Sequence, residues 1–287
     1  MFVAILAALG SALCYAIASV LQREAAAHES SDLSMRPGLL LQLAQRPLWL
    51  LGIAGDVLGF VLEFIALSNG ALVVVQPLAV SGLLFALPLA AFVAHRRMGG
   101  AEWFGALEVV VGLSVFLVVA DPSGGDATMS STSWVIVFAA TLGPAVALIA
   151  VAGRPGPRRA SVLALATGLV YGLTAALTKA TGHRLDEGVA TLATSWETYA
   201  LLVIGLSSML LSQSAFQAGP LASSLPIFAV AEPIVGILIG TLAFNEHIRH
   251  HGLAPLVEAV ALAVMLFGAW RLARSQMIAG IHEEAPS

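Results

Sequence analysis

Five carboxylates, Asp56, Glu63, Glu108, Glu232 and Glu258, lie inside apolar segments of hydrocarbon length. An ionised side chain at the centre of a bilayer is expensive even on the mildest scale. Such residues therefore face a protein-lined or watery interior and mark paths for ions, protons or polar solutes. Asp56 and Glu63 share the segment WLLGIAGDVLGFVLEFIALSNG. Their spacing is close to two helical turns, which puts both acids on one face, about 10.5 Å apart along the axis. Two acids at different depths could pass a cation or proton from one level to the next, and on that reading Asp56 and Glu63 are the candidate metal ligands. The alternative is a pair near the membrane edges, each acid bonded to a neighbouring helix. Gly52, Gly55 and Gly59 occupy much the same stripe, and Gly55 with Gly59 forms a small-xxx-small pair that lets another helix come close.

Glu232 sits in PIFAVAEPIVG between Pro226 and Pro233. A proline inside a helix removes one hydrogen bond and frees the carbonyl four residues earlier. Pro233 would free Ala229, one turn before the acid, giving either a cation-ligand pair or an ordinary kink. Pro77 in VVVQPLAV and Pro88 in FALPLAA do the same without an acid, and Pro77 and Pro226 are read as paired hinge points beside Pro233. The phenols of Tyr15 and Tyr171 could hydrogen-bond a solute or pack as aromatics. The segment holding Ser207, Ser208, Ser212, Gln213, Ser214 and Gln217 either glues helices or lines a cavity, with Gln213 the candidate contact. Glu108 and Glu258 lie about a turn into their helices, which favours an interfacial, structural role. Asn245-Glu246-His247 with His250 and His251 resembles a metal cluster, but its loose spacing reads better as a solvated loop. Outside acids (Asp121, Asp126, Asp186, Glu187, Glu197, Glu246) would make a negative mouth.

The elements that position these residues follow from composition. Hydrophobic residues make up 59% of 287 positions and charged ones 10%, with mean hydropathy +0.92; soluble domains carry about a quarter charged residues. The fold class is all-α, a polytopic membrane helix bundle. Apolar runs of roughly 20 residues predict nine helices, near 2–21, 47–67, 71–94, 103–120, 134–152, 161–177, 199–218, 221–244 and 253–270. The N-terminus lacks the basic region of a signal peptide and reads as a retained first span. The single Cys14 excludes an intrachain disulfide, and residues 278–287 read as a disordered tail.

Arg23, Arg36, Arg46, Arg96, Arg97, Arg154, Arg158, Arg159, Arg271 and Arg274 fall on one side of this topology, and Lys179, Arg184 and Arg249 on the other. The asymmetry predicts a cell-membrane protein with the N-terminus outside and the C-terminus cytoplasmic. ALGSALCYAIASVL (8–21) aligns with ALATGLVYGLTAAL (164–177), pairing Tyr15 with Tyr171. Gly70, Leu72 and Pro77 align with Gly219, Leu221 and Pro226, and Glu108 with Glu258. The chain thus divides into a first repeat (1–120), a linking helix (134–152) and a second repeat (161–273). An odd number of spans separates the copies, so the two four-helix halves are inverted, an arrangement typical of secondary transporters.

The repeat, the SNGALVVVQP and QAGPLASSLPIFAVAEP turns and the AFNEHI ending of the eighth helix resemble the drug/metabolite transporter superfamily, and the nine-helix layout resembles its NIPA magnesium-transporter-like branch more than the EamA type. The resemblance implies an inverted-repeat bundle that carries small polar solutes or Mg²⁺. The small multidrug members use a glutamate in the first helix, and this chain has none there. The expected function is a secondary transporter of a small solute, with Mg²⁺ one candidate cargo. The alternatives are a metabolite or drug exporter, or a non-transporting membrane partner. No Gly-rich phosphate loop, HExxH or GxSxG is present, so neither an enzyme nor a cofactor is expected. The expected partners are the lipid bilayer and the cargo, with a homodimer as a further option and no nucleic acid.

Overall fold

The structure is a computed structural model that describes residues 2–26, 45–93, 98–120, 125–126, 128–218, 221–246 and 252–273. Expectations about Arg36, Arg96, Arg97, Arg249, Arg274, His247, His250, His251, the Gly219-Pro220 turn and the tail 278–287 lie outside these residues.

Among the described residues all regular structure is helical: α1 (Phe2–Ala26), α2 (Pro47–Asn69), α3 (Leu72–Ala79), α4 (Gly82–Val93), α5 (Gly100–Ala120), α6 (Ser131–Val151), α7 (Pro157–Asp186), α8 (Val189–Thr194), α9 (Trp196–Ala218), α10 (Leu221–Ala243) and α11 (Ala254–Ala273). Seven of these, α1, α2, α5, α6, α7, α9 and α11, are long and apolar enough to cross a membrane. The third expected helix is divided. Pro77 cannot donate to the carbonyl four residues back, and the chain tightens behind it: Val80 N donates to Pro77 O and Ser81 N to Leu78 O, a three-residue spacing. α10 stays helical through both Pro226 and Pro233, so the expected pair of hinges shows a break on one side only. The sixth expected helix is longer than its apolar run. α7 opens with a proline in its first turn and continues through Lys179 and His183 to Asp186, because lysine, leucine and alanine all favour helix beyond the apolar stretch.

Packing runs through small residues. α1 packs chiefly on α2, α5 on α11, and α7 on both α10 and α9, while α3 crosses α10. A Cβ built on Gly112 would sit 2.6 Å from Met265 N and 2.7 Å from Ala261 O, and one on Gly268 would sit 2.8 Å from Gly105 O. The backbones of α5 and α11 therefore touch. Without a hydrophobic drive between helices in lipid, such close approach is what holds them. The outward faces are apolar: Phe92, Val118 and Leu242 are each more than three-quarters exposed, as expected where the neighbour is lipid. α7 is the inner helix, buried along most of its length.

Gly112→Ala is expected to lower the unfolding midpoint in detergent, by on the order of 1–3 kcal/mol, because the added methyl meets backbone rather than a movable side chain. Gly143 faces open space, so Gly143→Ala should be neutral or stabilising by up to about 1 kcal/mol through helix propensity. Equal midpoints for the two variants would contradict the packing described.

Candidate functional site

On α2 the exposed residues Val57, Leu58, Phe60, Val61 and Ile65 form an outer face, and neither Asp56 nor Glu63 is exposed. The glycine stripe does what its spacing suggests. A Cβ on Gly55 would sit 3.2 Å from that of Ala18, and one on Gly59 would sit 2.9 Å from the Tyr15 ring. α1 therefore lies directly against the acidic face. The Ser11 hydroxyl donates to Gly59 O at 2.8 Å.

Each acid of the pair has its own partner on α1. The Tyr15 hydroxyl donates to Glu63 Oε2 at 2.8 Å, and the Gln22 amide donates to Asp56. Glu232 of α10 lies close enough to Glu63 for the two carboxylates to interact electrostatically. The charges of Glu232, Asp56 and Glu63 all reach both Tyr15 and Tyr171. Tyr171 of α7 lies beside Ser212 of α9, and its ring lies 6.5 Å from that of Phe228. Titratable side chains from α1, α2, α7 and α10 thus share one electrostatic neighbourhood in the interior, without closing into a single cluster.

The other expected contacts are distributed differently. Gln213 is half-buried on α9, next to Ser212. The serines of that helix mostly bond their own backbone: Ser207 to Val203 O, Ser208 to Gly205 O, Ser212 to Met209 O and Ser214 to Leu210 O. Hydroxyls satisfied within their own helix contribute little glue. Pro77 and Pro233 are buried; of Pro226 the helical backbone is described and the side chain is not. Glu108 pairs with Arg271 at 2.9 Å, tying α5 to α11, in keeping with a structural role. Among the described residues no three His, Cys, Asp or Glu converge as a metal site. A cavity of about 390 Å³ opens between α2 and α7, lined by Phe60, Phe64, Ser68, Asn69 and Asp186 among others, and none of the converging acids borders it.

Glu246 departs from expectation. It is not a loop acid in water. Its side chain is fully buried and pairs with Lys179 of α7. Its two oxygens accept from the first backbone N–H groups of α3, Leu72 N at 2.8 Å and Val73 N at 2.9 Å. A carboxylate there meets both unbonded N–H groups and the positive end of the helix dipole. Lys179 also lies 4.6 Å from the centre of the Phe244 ring, a cation–π distance. Gly125, with φ +101°, and Gly240 leave room for the carboxylate, since a Cβ on either would strike Glu246. Asp126 N donates to Phe244 O at 2.6 Å and Asn245 donates to Asp126 at 2.6 Å. Glu197 is also buried, with Arg184 at 2.8 Å, so two acids of the expected negative mouth are internal pairs. The signal for Glu246 was its place directly behind an apolar helix end rich in glycine. What hid it is that its partners lie 67 and 174 residues away in the chain.

The fold and this interior define a multi-pass membrane helix bundle with carboxylates and phenols facing inward. The chain is 32% identical over 282 residues to an uncharacterized protein of Corynebacterium glutamicum, an alignment that covers 96% of this chain and 97% of that one. It belongs to the same family as that protein. No family model matches the chain, and no solved structure does.

Glu246→Ala and Lys179→Met should each destabilise the folded protein by about 3–5 kcal/mol, because each leaves a buried charge without its partner. The double variant should lose clearly less than the sum of the two. Chaotrope unfolding of the four proteins in one detergent measures this, and strictly additive losses would show that the pair is not coupled.

Proposed function

We propose that the protein is a secondary transporter that moves a small polar solute or cation by alternating access between two inverted four-helix halves. The observation that carries this reading is that Asp56 and Glu63, and Glu232 from the other half of the chain, lie within electrostatic reach of Tyr15 and Tyr171 in the bundle interior. Intramembrane acids are retained where they handle a passing charge or polar group, and inverted-repeat transporters place that site where the halves meet.

Helix pairing supports the repeat. α1 on α2 matches α7 on α9, and α1 on α3 and α4 matches α7 on α10. α5 on α11 and α3 on α10 are the pairings a pseudo-twofold axis would map onto themselves. The shorter apolar helices at Leu72–Ala86 and Val230–Ala243 supply the third and eighth of nine spans in this reading, with the N-terminus outside and the C-terminus cytoplasmic. One departure from symmetry fits a transporter held in one state. α2 packs on α7, whereas among the described residues α1 and α9 make no comparable contact. The α2–α7 contact includes Ser68 against Gly182, at the end of the bundle that Glu246 closes.

Mg²⁺ is one cargo for such acids, since it takes a few carboxylates and keeps several waters. A small organic solute is the other, and the phenols with Phe228 favour it, because aromatic faces suit an organic cation better than a hydrated metal. The test is flux in vesicles across cations and metabolites. Asp56→Asn, Glu63→Gln and Glu232→Gln should each lower it by roughly 10- to 100-fold, the loss expected for a charge-assisted hydrogen bond. Glu108→Gln should leave flux per folded protein unchanged. If all three amide variants transport normally, the acids are structural and this site fails; if folded wild type moves none of the solutes, the reading fails in favour of a non-transporting membrane partner.

A further inference from the structure

Gln76 stands alone in a stretch where Leu72, Val73, Val74, Val75, Pro77 and Leu78 are all buried. Its own exposure is 0%, yet among the described residues neither Nε2 nor Oε1 has a hydrogen-bond partner. A glutamine amide offers two donors and an acceptor, and buried amides in folded proteins are nearly always paired. Inside a bilayer an unpaired one is more costly still, because no bulk water can reach it. A leucine or methionine would fill the same volume without that penalty.

The amide is also held in a particular place. A Cβ built on Gly236 of α10 would sit 2.4 Å from Gln76 Cγ, 2.8 Å from Cδ and 3.0 Å from Oε1. The side chain thus lies on bare α10 backbone where Gly236 has nothing to displace it. Gly236 is one helical turn past Glu232, about 6 Å along the axis, so the amide and the carboxylate lie along the same strip of α10. On the other side, Glu246 grips α3 one turn earlier, at Leu72 and Val73. Gln76 therefore sits between the closed end of the bundle and the carboxylate site, where α3 and α10 cross.

We infer that Gln76 is a solute-binding residue of the carboxylate site. The solute it takes is a small organic molecule that presents a hydrogen-bond donor and acceptor side by side, with a cationic or N–H group for Glu232. A bare metal cation does not fit this demand. It can bind Oε1 but leaves both amide N–H groups unpaired. Parting of α3 from α10, which release of Glu246 would permit, brings the solute to the amide. The inference rests on the transporter reading and selects among its cargoes.

The test uses the full chain in proteoliposomes, as wild type, Gln76→Met and Gln76→Glu, with Mg²⁺, methylamine, ethanolamine and glycinamide as probes. Wild type should move ethanolamine or glycinamide in preference to Mg²⁺. Gln76→Met should cut that flux on the order of tenfold, mainly through KM, the loss of a hydrogen bond to the solute, while its unfolding midpoint is unchanged or raised. Gln76→Glu keeps the size and the acceptor but loses the donors, and should also be impaired. Three outcomes overturn the inference: unimpaired flux in Gln76→Met, as a trapped water on the amide would give; a fall in its midpoint, which would reveal a structural partner; or Mg²⁺ as the preferred probe with flux independent of residue 76. If folded wild type moves none of the four probes, this assignment of solute class fails. Flux of some other solute that depends on Asp56, Glu63 and Glu232 would then leave the transporter reading standing.

Discussion

Glu246 ties together three helices that are far apart in the chain. Its oxygens take the first two N–H groups of α3, its charge is met by Lys179 of α7, and its backbone continues from the end of α10. The first N–H groups of a helix have no partner within it, and where they are buried they must find acceptors within the protein. α3 has only eight residues, and the carboxylate supplies them. The same contact joins α3 to α7 and to the end of α10, which makes it a structural joint as well as a cap. Asp126, from the segment between α5 and α6, reinforces it by bonding Phe244 and Asn245 just before the carboxylate.

The rest of the interior depends on how closely the helices approach. Carboxylates can be kept from lipid only if a neighbouring helix covers them, and glycine is what lets the cover come near. Gly55 and Gly59 admit α1 to the acidic face of α2, while Gly168 and Gly172 admit α10 to α7. Tyr15 is held by both effects, with its ring over Gly59 and its hydroxyl on Glu63. Position and protonation partner are thus set by the same pair of helices. A shift of α1 against α2 would change both.

The two ends of the bundle are built unlike one another. At one end Glu246, Lys179, Ser68 and Gly182 bring the halves together. At the other, Glu108 with Arg271 joins α5 to α11, and Gln22 holds Asp56. The interior between these two ends holds the acids and phenols, with Gln76 where α3 crosses α10, one turn along α3 from the backbone that Glu246 grips.

Much of this was legible in the residues themselves. Hydrocarbon-length apolar runs specify membrane helices because the backbone must bond within itself, and acids in those runs specify an interior face. The period of the α-helix placed Asp56, Glu63 and the glycines together on α2. Three things were decided only by tertiary structure. Glu246 reads as a loop acid until α3 and α7 are brought to it from distant parts of the chain. The chain breaks after Pro77 and runs unbroken through Pro233, so a proline by itself does not say which helix is divided. Gln76 carries no charge to draw attention, and only the fold shows it lying against Gly236 with no partner for its amide among the described residues. Periodicity determines which face a residue occupies; which residue of another helix meets that face depends on contacts between segments that the order of the chain does not record.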